Sequence, residues 1–356
     1  MIYKLALKFR HALFDKGWRK QHDSEVPTIC IGNVTVGGTG KTPHTEMILR
    51  FLDQDGDWAS RNIAVLSRGY KRRSKGFQQV DMTSTAAFSG DEPLQIKKKF
   101  PGVTVAVDKD RVEGCDFLCH PDKLQTSKKG DRCYNKNFPP ADLIILDDAF
   151  QHRSLKATVN IVLVDFNRPL SEDKLLPYGS LRDLPSRVRS ADIIIVTKCP
   201  KYLSDQERAM SIESLKLGKD APKVFFTTME YCKPTGIFQQ MDTRYIYSQR
   251  LILFSGIAQD TPLRNYLSDS YHIVKHLSFA DHHTYSKADI KSIENAADKW
   301  PTAAVATTEK DAQRILDYPR MPRDLKTKMF QVPIRAVFFS EEEQKEFETT
   351  LLGLMK

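Results

Sequence analysis

The chain has 356 residues and a formal charge of +9, from 54 Lys and Arg residues against 45 Asp and Glu residues. Hydrophobic residues make up 40% and charged residues 28%, which excludes a wholly disordered chain, a collagen-like repeat and a disulfide-dense mini-protein. No apolar run approaches the roughly 20 residues of a transmembrane helix, and the length favours two α/β units over one.

The N-terminal segment, residues 1–22, predicts a basic amphipathic helix. Its first 20 residues carry six Lys or Arg side chains, opposed only by Asp15. Four apolar residues recur at helical spacing: Ile2, Leu5, Phe9 and Leu13. Such a helix is typical of segments that lie on an anionic membrane surface, and Trp18 suits that interface. A helix packed on the protein's own core, with a solvated basic face, explains the pattern equally well.

Short apolar runs alternate with helical or irregular segments along the rest of the chain. The first set of predicted strands is Thr28–Val34, Ile63–Ser67, Val103–Val107, Leu143–Leu146, Ile161–Asp165, Ile193–Thr197 and Val224–Thr227. The second set is Leu251–Ser255, His272–Leu277, Ala303–Thr307 and Ile334–Phe339. Near-continuous apolar runs are typical of parallel strands buried on both faces.

These runs divide the chain into lobes. We predict a larger lobe over 23–229, a connection over 230–250, a smaller α/β lobe over 251–335 and a C-terminal strand and helix over 336–356. The lysine-rich segment 119–140 is predicted to be a surface insertion.

A glycine-rich loop follows the first strand and precedes a helical pattern. The loop ends in Gly40, Lys41 and Thr42, which is the arrangement of a phosphate-binding P-loop. The predicted nucleotide-binding residues are Thr35, Val36, Gly37, Gly38, Thr39, Gly40, Lys41 and Thr42. Lys41 would reach the β- and γ-phosphates, and the Thr42 hydroxyl would hold Mg²⁺. The pattern departs from the strict motif at Thr35, where a glycine is usual.

A second predicted apolar strand is followed by two acidic residues, Asp147 and Asp148. This is the form of a Walker-B element, whose carboxylates project from the strand end and bind Mg²⁺ directly or through water. With the loop, it predicts an α/β fold built on a P-loop NTPase-type parallel sheet with helices on both faces, plus the smaller lobe.

Six motifs occur in an order that closely resembles the tetraacyldisaccharide 4′-kinase family. They are GNVTVGGTGKTP from Gly32, LSRGYKR from Leu66, GDEP from Gly90, LDDAFQHR from Leu146, LLPYGSLRD from Leu175 and DHHTY from Asp281. The resemblance spans about 26–311. It implies transfer of the ATP γ-phosphoryl group, with Mg²⁺, to the 4′-hydroxyl of a lipid A disaccharide 1-phosphate. It places the chain peripherally on the cytoplasmic face of the inner membrane.

The resemblance also implies roles for individual residues. Asp91 would be the catalytic base, aided by His282 or His283, of which we favour His282, and Lys41 would complete the catalytic set. The metal ligands would be Thr42, Asp147, Asp148 and Asp183, the last of which is often Glu in the family. The predicted substrate-binding residues are Arg68, Tyr70, Gln151, His152 and Arg153. On local sequence alone, Asp91 is a helix cap and the histidines form a solvated turn.

Other interpretations remain open. A kinase of a soluble metabolite would not need the first 20 residues, and a non-enzymatic nucleotide switch would not need Asp91 or its histidine. Cys115, Cys119, Cys133 and His120 raise the possibility of zinc, although the chain has no CxxC pair. No recognised nucleic-acid-binding signature is present, and no protein partner is predicted.

Overall fold

The computed structural model of the protein describes residues 2–126 and 138–356. They form two lobes, each built on a mostly parallel sheet, together with a two-stranded ribbon. Within these ranges, no helix has the length and apolar character needed to cross a bilayer. Part of the predicted insertion, including Cys133, lies outside the described residues.

Sixteen strands occur in the described ranges. In chain order they are β1 (His22–Asp23), β2 (Thr28–Asn33), β3 (Ile63–Ser67), β4 (Gln78–Val80), β5 (Thr104–Val107), β6 (Leu143–Asp147), β7 (Leu155–Lys156), β8 (Val159–Asp165), β9 (Ile193–Cys199), β10 (Lys223–Tyr231), β11 (Thr235–Gly236), β12 (Arg250–Ser255), β13 (His272–Ser278), β14 (Ala304–Thr308), β15 (Met329–Val332) and β16 (Ile334–Phe338).

Twelve α-helices occur in the same ranges. They are α1 (Ile2–Asp15), α2 (Lys41–Gln54), α3 (Ala86–Ser89), α4 (Asp91–Lys99), α5 (Arg111–Cys119), α6 (Lys123–Thr126), α7 (Asp205–Ser214), α8 (Thr261–Ser268), α9 (Lys287–Lys299), α10 (Glu309–Leu316), α11 (Arg323–Lys328) and α12 (Glu341–Leu354). Two 3₁₀ helices, Pro185–Ser190 and Thr243–Tyr247, complete the regular structure of these ranges.

The larger lobe is a nine-stranded sheet in the order β16-β10-β9-β8-β2-β6-β3-β5-β4. Only its two edge pairings, β16 with β10 and β4 with β5, are antiparallel. Successive side chains of a strand point to opposite faces. Accordingly Ile29 and Ile31 join a core with α2 and α12, whereas Cys30 packs on the other face with residues of α5. Helices therefore cover both faces, as the sequence predicts.

The smaller lobe is a five-stranded sheet in the order β11-β15-β14-β12-β13. Its only antiparallel pairing among the described strands is β11 with β15. Apolar residues of α9 pack on one face of this sheet and those of α8 on the other. This lobe supplies side chains to a cleft that it shares with the larger sheet.

The last strand corrects one expectation from the sequence. Ile334–Phe339 is predicted as a strand of the second unit, but β16 is the edge of the larger sheet and pairs antiparallel with β10. That assignment was wrong because an apolar pattern identifies a strand without identifying its partner. The segment 230–250, predicted as a connection, begins within β10 and contains β11 of the smaller lobe.

Candidate active site

The glycine-rich loop joins β2 to α2, in the middle of the larger sheet. Gly37 and Gly40 adopt φ angles of +95° and +84°, a region that favours glycine. The Asn33 side-chain amide donates to the Thr39 hydroxyl at 2.8 Å, which fixes the loop from beneath. The loop therefore presents backbone N–H groups at the start of α2, where the helix dipole favours an anion.

His44 supports the same loop from inside the first helical turn. Its Nδ1 donates to the Gly40 carbonyl oxygen at 2.7 Å, and its Nε2 accepts from the Thr227 hydroxyl at 2.9 Å. Burial lowers the pKa of His44 to about 4, so this imidazole is neutral at physiological pH. It ties the phosphate-binding loop to β10.

Lys41 and Asp148 meet where β2 and β6 end side by side. Lys41 Nζ lies 3.6 Å from Asp148 Oδ1, and the Arg182 guanidinium donates to both oxygens of the same carboxylate. Burial alone would raise the pKa of Asp148, but the charge of Lys41 and the Arg182 hydrogen bond hold it well below its usual range. Asp148 is thus a fixed anion beside the loop.

Asp147 differs from its neighbour because it is buried and forms no ion pair with any cation in the described part of the chain. Its Oδ2 accepts from the Ser67 hydroxyl at 3.1 Å, and its Oδ1 has no partner among the described residues. Burial and the negative charges of Glu92 and Asp148 raise its pKa to about 7. An orphaned carboxylate oxygen on the residue next to Asp148 fits a hard cation such as Mg²⁺.

Asp91 and His282 come from different lobes and meet across the cleft. His282 Nδ1 lies 3.3 Å from Asp91 Oδ2, and the Arg314 Nε donates to the same oxygen at 2.9 Å. Burial would raise the pKa of Asp91, but the hydrogen bond from His282 and the charge of Arg314 hold it well below its usual range. The pairing brings together two residues that the sequence separates by 191 positions.

The two adjacent histidines, His282 and His283, make different contacts. His282 has a φ of +56°, which is uncommon for a residue other than glycine, and its ring meets that of Tyr70 edge-on at 5.1 Å. His283 instead bonds Asp289 at 2.9 Å and stacks on Phe279. The structure therefore places His282, and not His283, against Asp91.

Asp183, predicted as a metal ligand, lies on the α1 side of the cleft. The carboxylate is buried, and its Oδ1 lies 2.6 Å from His11 Nε2. The preceding residue, Arg182, accepts a hydrogen bond at its carbonyl oxygen from the Tyr3 hydroxyl at 2.8 Å. Helix α1 is thus bonded directly to the loop that holds Asp148.

The predicted substrate-binding residues do not form one cluster of free side chains. Arg68 and Tyr70 are exposed at the cleft, whereas Gln151 Nε2 donates to the Asn33 carbonyl oxygen at 2.7 Å. The Arg153 guanidinium donates to Asp15 at 2.7 Å and to the His11 carbonyl oxygen, so it anchors α1. Burial and nearby Arg charges lower the pKa of His152 to about 4.

The cysteines do not assemble around His120 in the described ranges. His120 Nε2 pairs with Glu25 at 2.9 Å, and all five described cysteines are free thiols. Cys133, the remaining cysteine of the zinc alternative, lies outside those ranges.

A sequence model of the tetraacyldisaccharide-1-P 4′-kinase family matches residues 1–356. The chain belongs to this family. The tetraacyldisaccharide 4′-kinases of Phocaeicola vulgatus and Flavobacterium johnsoniae are 37% and 36% identical to it, over 96% and 100% of this chain and 90% and 95% of theirs. The family predicted from the motifs is therefore confirmed, and with it the predicted enzyme class, a kinase.

A solved structure supports the fold. The crystal structure of LpxK from Aquifex aeolicus in complex with ATP aligns with a TM-score of 0.70 at 25% sequence identity, over 100% of this chain and 96% of that one. The predicted P-loop NTPase-type fold is confirmed.

Several polar residues of this 4′-kinase family member were not predicted from sequence. Arg182 lies in the LLPYGSLRD motif and Glu92 in the GDEP motif. The motifs mark both residues as candidates for the site but do not indicate which residues they contact. Lys310 pairs with Glu92, and Arg314 with Asp91, from α10 of the other lobe. No sequence spacing could have found these two contacts, because each joins residues more than 200 positions apart.

Proposed function

We propose that the chain transfers the γ-phosphoryl group of ATP to the 4′-hydroxyl of tetraacyldisaccharide 1-phosphate, in the synthesis of lipid A. The observation that carries the proposal is the contact of Asp91 with His282 and Arg314 across the cleft. The adjacent Glu92 raises the pKa of Asp147 by its charge, so this contact lies within electrostatic reach of the metal-binding acids. A nucleotide switch has no need of such a pair.

In the proposed reaction, the loop 35–42 binds the ATP phosphates through its backbone N–H groups and Lys41. The ATP complex of the Aquifex aeolicus relative supports this assignment. Asp147, Asp148 and the Thr42 hydroxyl would hold Mg²⁺, and we extend the metal set to Asp183 as the motif implies. An ion held there would supply positive charge against the phosphates, and charge neutralisation is a main requirement of phosphoryl transfer.

The sugar hydroxyl needs a proton acceptor, and we assign this task to Asp91 with His282. The carboxylate orients the imidazole through Nδ1, which leaves Nε2 directed away from that contact. Either group then accepts the hydroxyl proton within one hydrogen-bonded unit, as attack on the γ-phosphorus begins. Arg314 keeps the carboxylate ionised and in place. Base assistance of this kind is worth about 10²–10⁴-fold in rate.

The lipid substrate calls for contact with a membrane surface, and α1 has a face suited to it. Leu7, His11 and Phe14 are buried against the protein, whereas Leu5 and Phe9 are 59% and 65% exposed. The two alternatives for α1 are thus compatible, because different faces would meet the protein and the bilayer. Exposed lysines beside Leu5 and Phe9 would attract anionic lipid. We propose peripheral binding to the cytoplasmic face of the inner membrane.

The test is transfer of radiolabel from [γ-³²P]ATP to purified tetraacyldisaccharide 1-phosphate in detergent, with glucosamine 1-phosphate as a soluble alternative. The proposal predicts a labelled lipid and no labelled soluble sugar. Labelling of the soluble sugar alone would favour the metabolite kinase, and ATP binding without transfer to either acceptor would favour the switch.

A further inference from the structure

The carboxylate of Asp311, in the first turn of α10, is fully buried and has no part in the reaction proposed above. Its Oδ2 accepts from the Thr308 hydroxyl at 2.7 Å and from the Gly256 N–H at 3.0 Å. Its Oδ1 accepts from the Tyr285 hydroxyl at 2.9 Å and from Arg314 Nη1 at 2.8 Å. Donors from α10, from the turn after β12 and from the segment before α9 therefore converge on one buried side chain.

Capping of α10 explains one of these contacts. Thr308 caps this helix, since its hydroxyl oxygen accepts from the Asp311 N–H at 3.1 Å. Helix α9 has a comparable cap, in which the Ser286 hydroxyl donates to Asp289. Asp289, however, is partly exposed, and its partner beyond that cap is His283. Capping therefore does not account for the bonds that Asp311 makes outside the start of α10.

Arg314 is held at both ends of its guanidinium group. Its Nη1 donates to Asp311 Oδ1 and, at 2.9 Å, to the Gly256 carbonyl oxygen. Its Nε donates to Asp91 Oδ2, also at 2.9 Å. A guanidinium group is planar and its donors point in fixed directions, so fixing one end fixes the other. Asp311 therefore sets the direction from which Arg314 meets the Asp91 carboxylate.

The Gly256 turn reaches the other member of the pair. The Gly256 carbonyl oxygen accepts from the backbone N–H of His282 at 3.1 Å, and it also accepts from Arg314. Asp311 holds the same turn through the Gly256 N–H. The packing is close, because a Cβ on Gly256 would lie 3.0 Å from Asp311 Oδ1 and 3.2 Å from the Ala280 carbonyl oxygen. The turn that positions the backbone of His282 is therefore fixed against Asp311.

We infer that Asp311 is a positioning residue for phosphoryl transfer, because it holds Asp91 and His282 in one arrangement. It acts on Asp91 through Arg314 and on His282 through the Gly256 turn. This role rests on the proposed function, in which the Asp91–His282 pair accepts the hydroxyl proton. Proton transfer needs close alignment of donor and acceptor, and a misplacement of about 1 Å can cost on the order of 10²-fold in rate.

A mutant cycle tests this role, measured as single-turnover transfer to tetraacyldisaccharide 1-phosphate with saturating magnesium–ATP. Asp311→Asn should lower the rate about ten- to a hundredfold, with nucleotide affinity retained because the phosphate-binding loop lies in the other lobe. In a background that already carries Asp91→Asn and His282→Ala, the same change should cost about twofold or less. Asp289→Asn, which removes the carboxylate bonded to His283, should transfer as the wild type does.

Gly256→Ala is a second variant, and it leaves every charge in place. Its added Cβ would lie 3.0 Å from Asp311 Oδ1, so the turn and the carboxylate must move apart. We expect a similar loss of rate and the same masking in the doubly substituted background. This variant decides the question alone if Asp311→Asn does not fold, which calorimetric binding of a magnesium–ATP analogue would reveal.

Two results would overturn the positioning role of Asp311 alone. One is an equal loss of rate in the wild-type and doubly substituted backgrounds, because a general effect on the fold does not depend on the base pair. The other is transfer at the wild-type rate by a folded Asp311→Asn variant or by Gly256→Ala. A doubly substituted background as fast as the wild type would instead overturn the proposed proton acceptor, and the role of Asp311 with it.

Discussion

His11 Nε2 lies 2.6 Å from Asp183 Oδ1, and both side chains are buried. Arg153 donates to the other ring nitrogen of His11 at 3.3 Å, so the imidazole is fixed with its Nε2–H on the carboxylate. This contact joins the helix proposed to lie on the membrane to the loop that carries Arg182 and Asp183. The proposed membrane-facing helix and the proposed metal ligand Asp183 are therefore joined by one hydrogen bond.

Replacing His11 with Ala should weaken that connection. The change leaves the Asp183 carboxylate buried without its donor, which costs about 1–3 kcal/mol of unfolding free energy. We expect kcat/KM to fall by about tenfold in a detergent assay with the KM for magnesium–ATP raised, since the metal side of the site loosens. His22→Ala, an exposed histidine of β1, is the control. Equal kinetics in the two variants would contradict the positioning role of His11.

The exposed face of α1 should determine vesicle binding. Leu5→Ser with Phe9→Ser removes two apolar side chains that are more than half exposed. We expect affinity for anionic phospholipid vesicles to fall about ten- to a hundredfold. Sedimentation with vesicles measures this. Tyr202→Ser, which alters a 91% exposed aromatic residue in the larger lobe, should leave binding intact. Unchanged binding by the double variant would argue against the membrane-facing helix.

Arg314 should set the pH at which Asp91 loses its charge. Because the Arg314 charge lowers the pKa of Asp91, Arg314→Gln should raise that pKa. The ionised base is then lost at a higher pH, and the acidic limb of the kcat/KM profile should move upward by roughly one to two pH units. Arg320→Gln, an exposed change after the same helix, serves as the comparison. A limb that stays in place would mean that Asp91 is not the titrating group.

His44 should make stability depend on pH. Its pKa is about 4 in the folded protein, against 6.5 ordinarily. Between these values the unfolded chain takes up a proton that the folded protein does not, so stability is full above pH 6.5 and is lost as the pH falls toward 4. The loss is on the order of 3 kcal/mol. Urea unfolding should show a shallower pH dependence for His44→Gln than for the exposed control His272→Gln. Equal slopes would exclude His44 as the cause.

The parts of the site that could be predicted from sequence are those whose residues are contiguous. Gly37 to Thr42 form one loop, and Asp147 and Asp148 end one strand, so strand–loop–helix patterning is enough to place both at the same sheet edge. The central strands are likewise recognisable, because burial on both faces leaves continuous apolar runs. The resemblance to the family motifs also allowed Asp91 and the two histidines, His282 and His283, to be predicted as site residues.

What the sequence did not reveal depends on contacts between distant segments. Arg314 lies 223 positions from Asp91, and nothing in a local pattern indicates that α10 packs against α4. The choice between His282 and His283 also required geometry, since adjacent residues have the same motif context. The sequence did not predict the face of α1 that packs on the protein. This face includes the polar residue His11, and a search for regularly spaced apolar residues does not count a histidine.

The most direct test of the central claim measures γ-phosphoryl transfer to tetraacyldisaccharide 1-phosphate by Asp91→Asn, under single-turnover conditions with saturating magnesium–ATP. The account predicts a rate about 10²–10⁴-fold below wild type with nucleotide affinity retained, while Asp110→Asn, at the exposed cap of α5, transfers normally. Transfer by Asp91→Asn at the wild-type rate would contradict the claim that Asp91, paired with His282 across the cleft, assists removal of the hydroxyl proton.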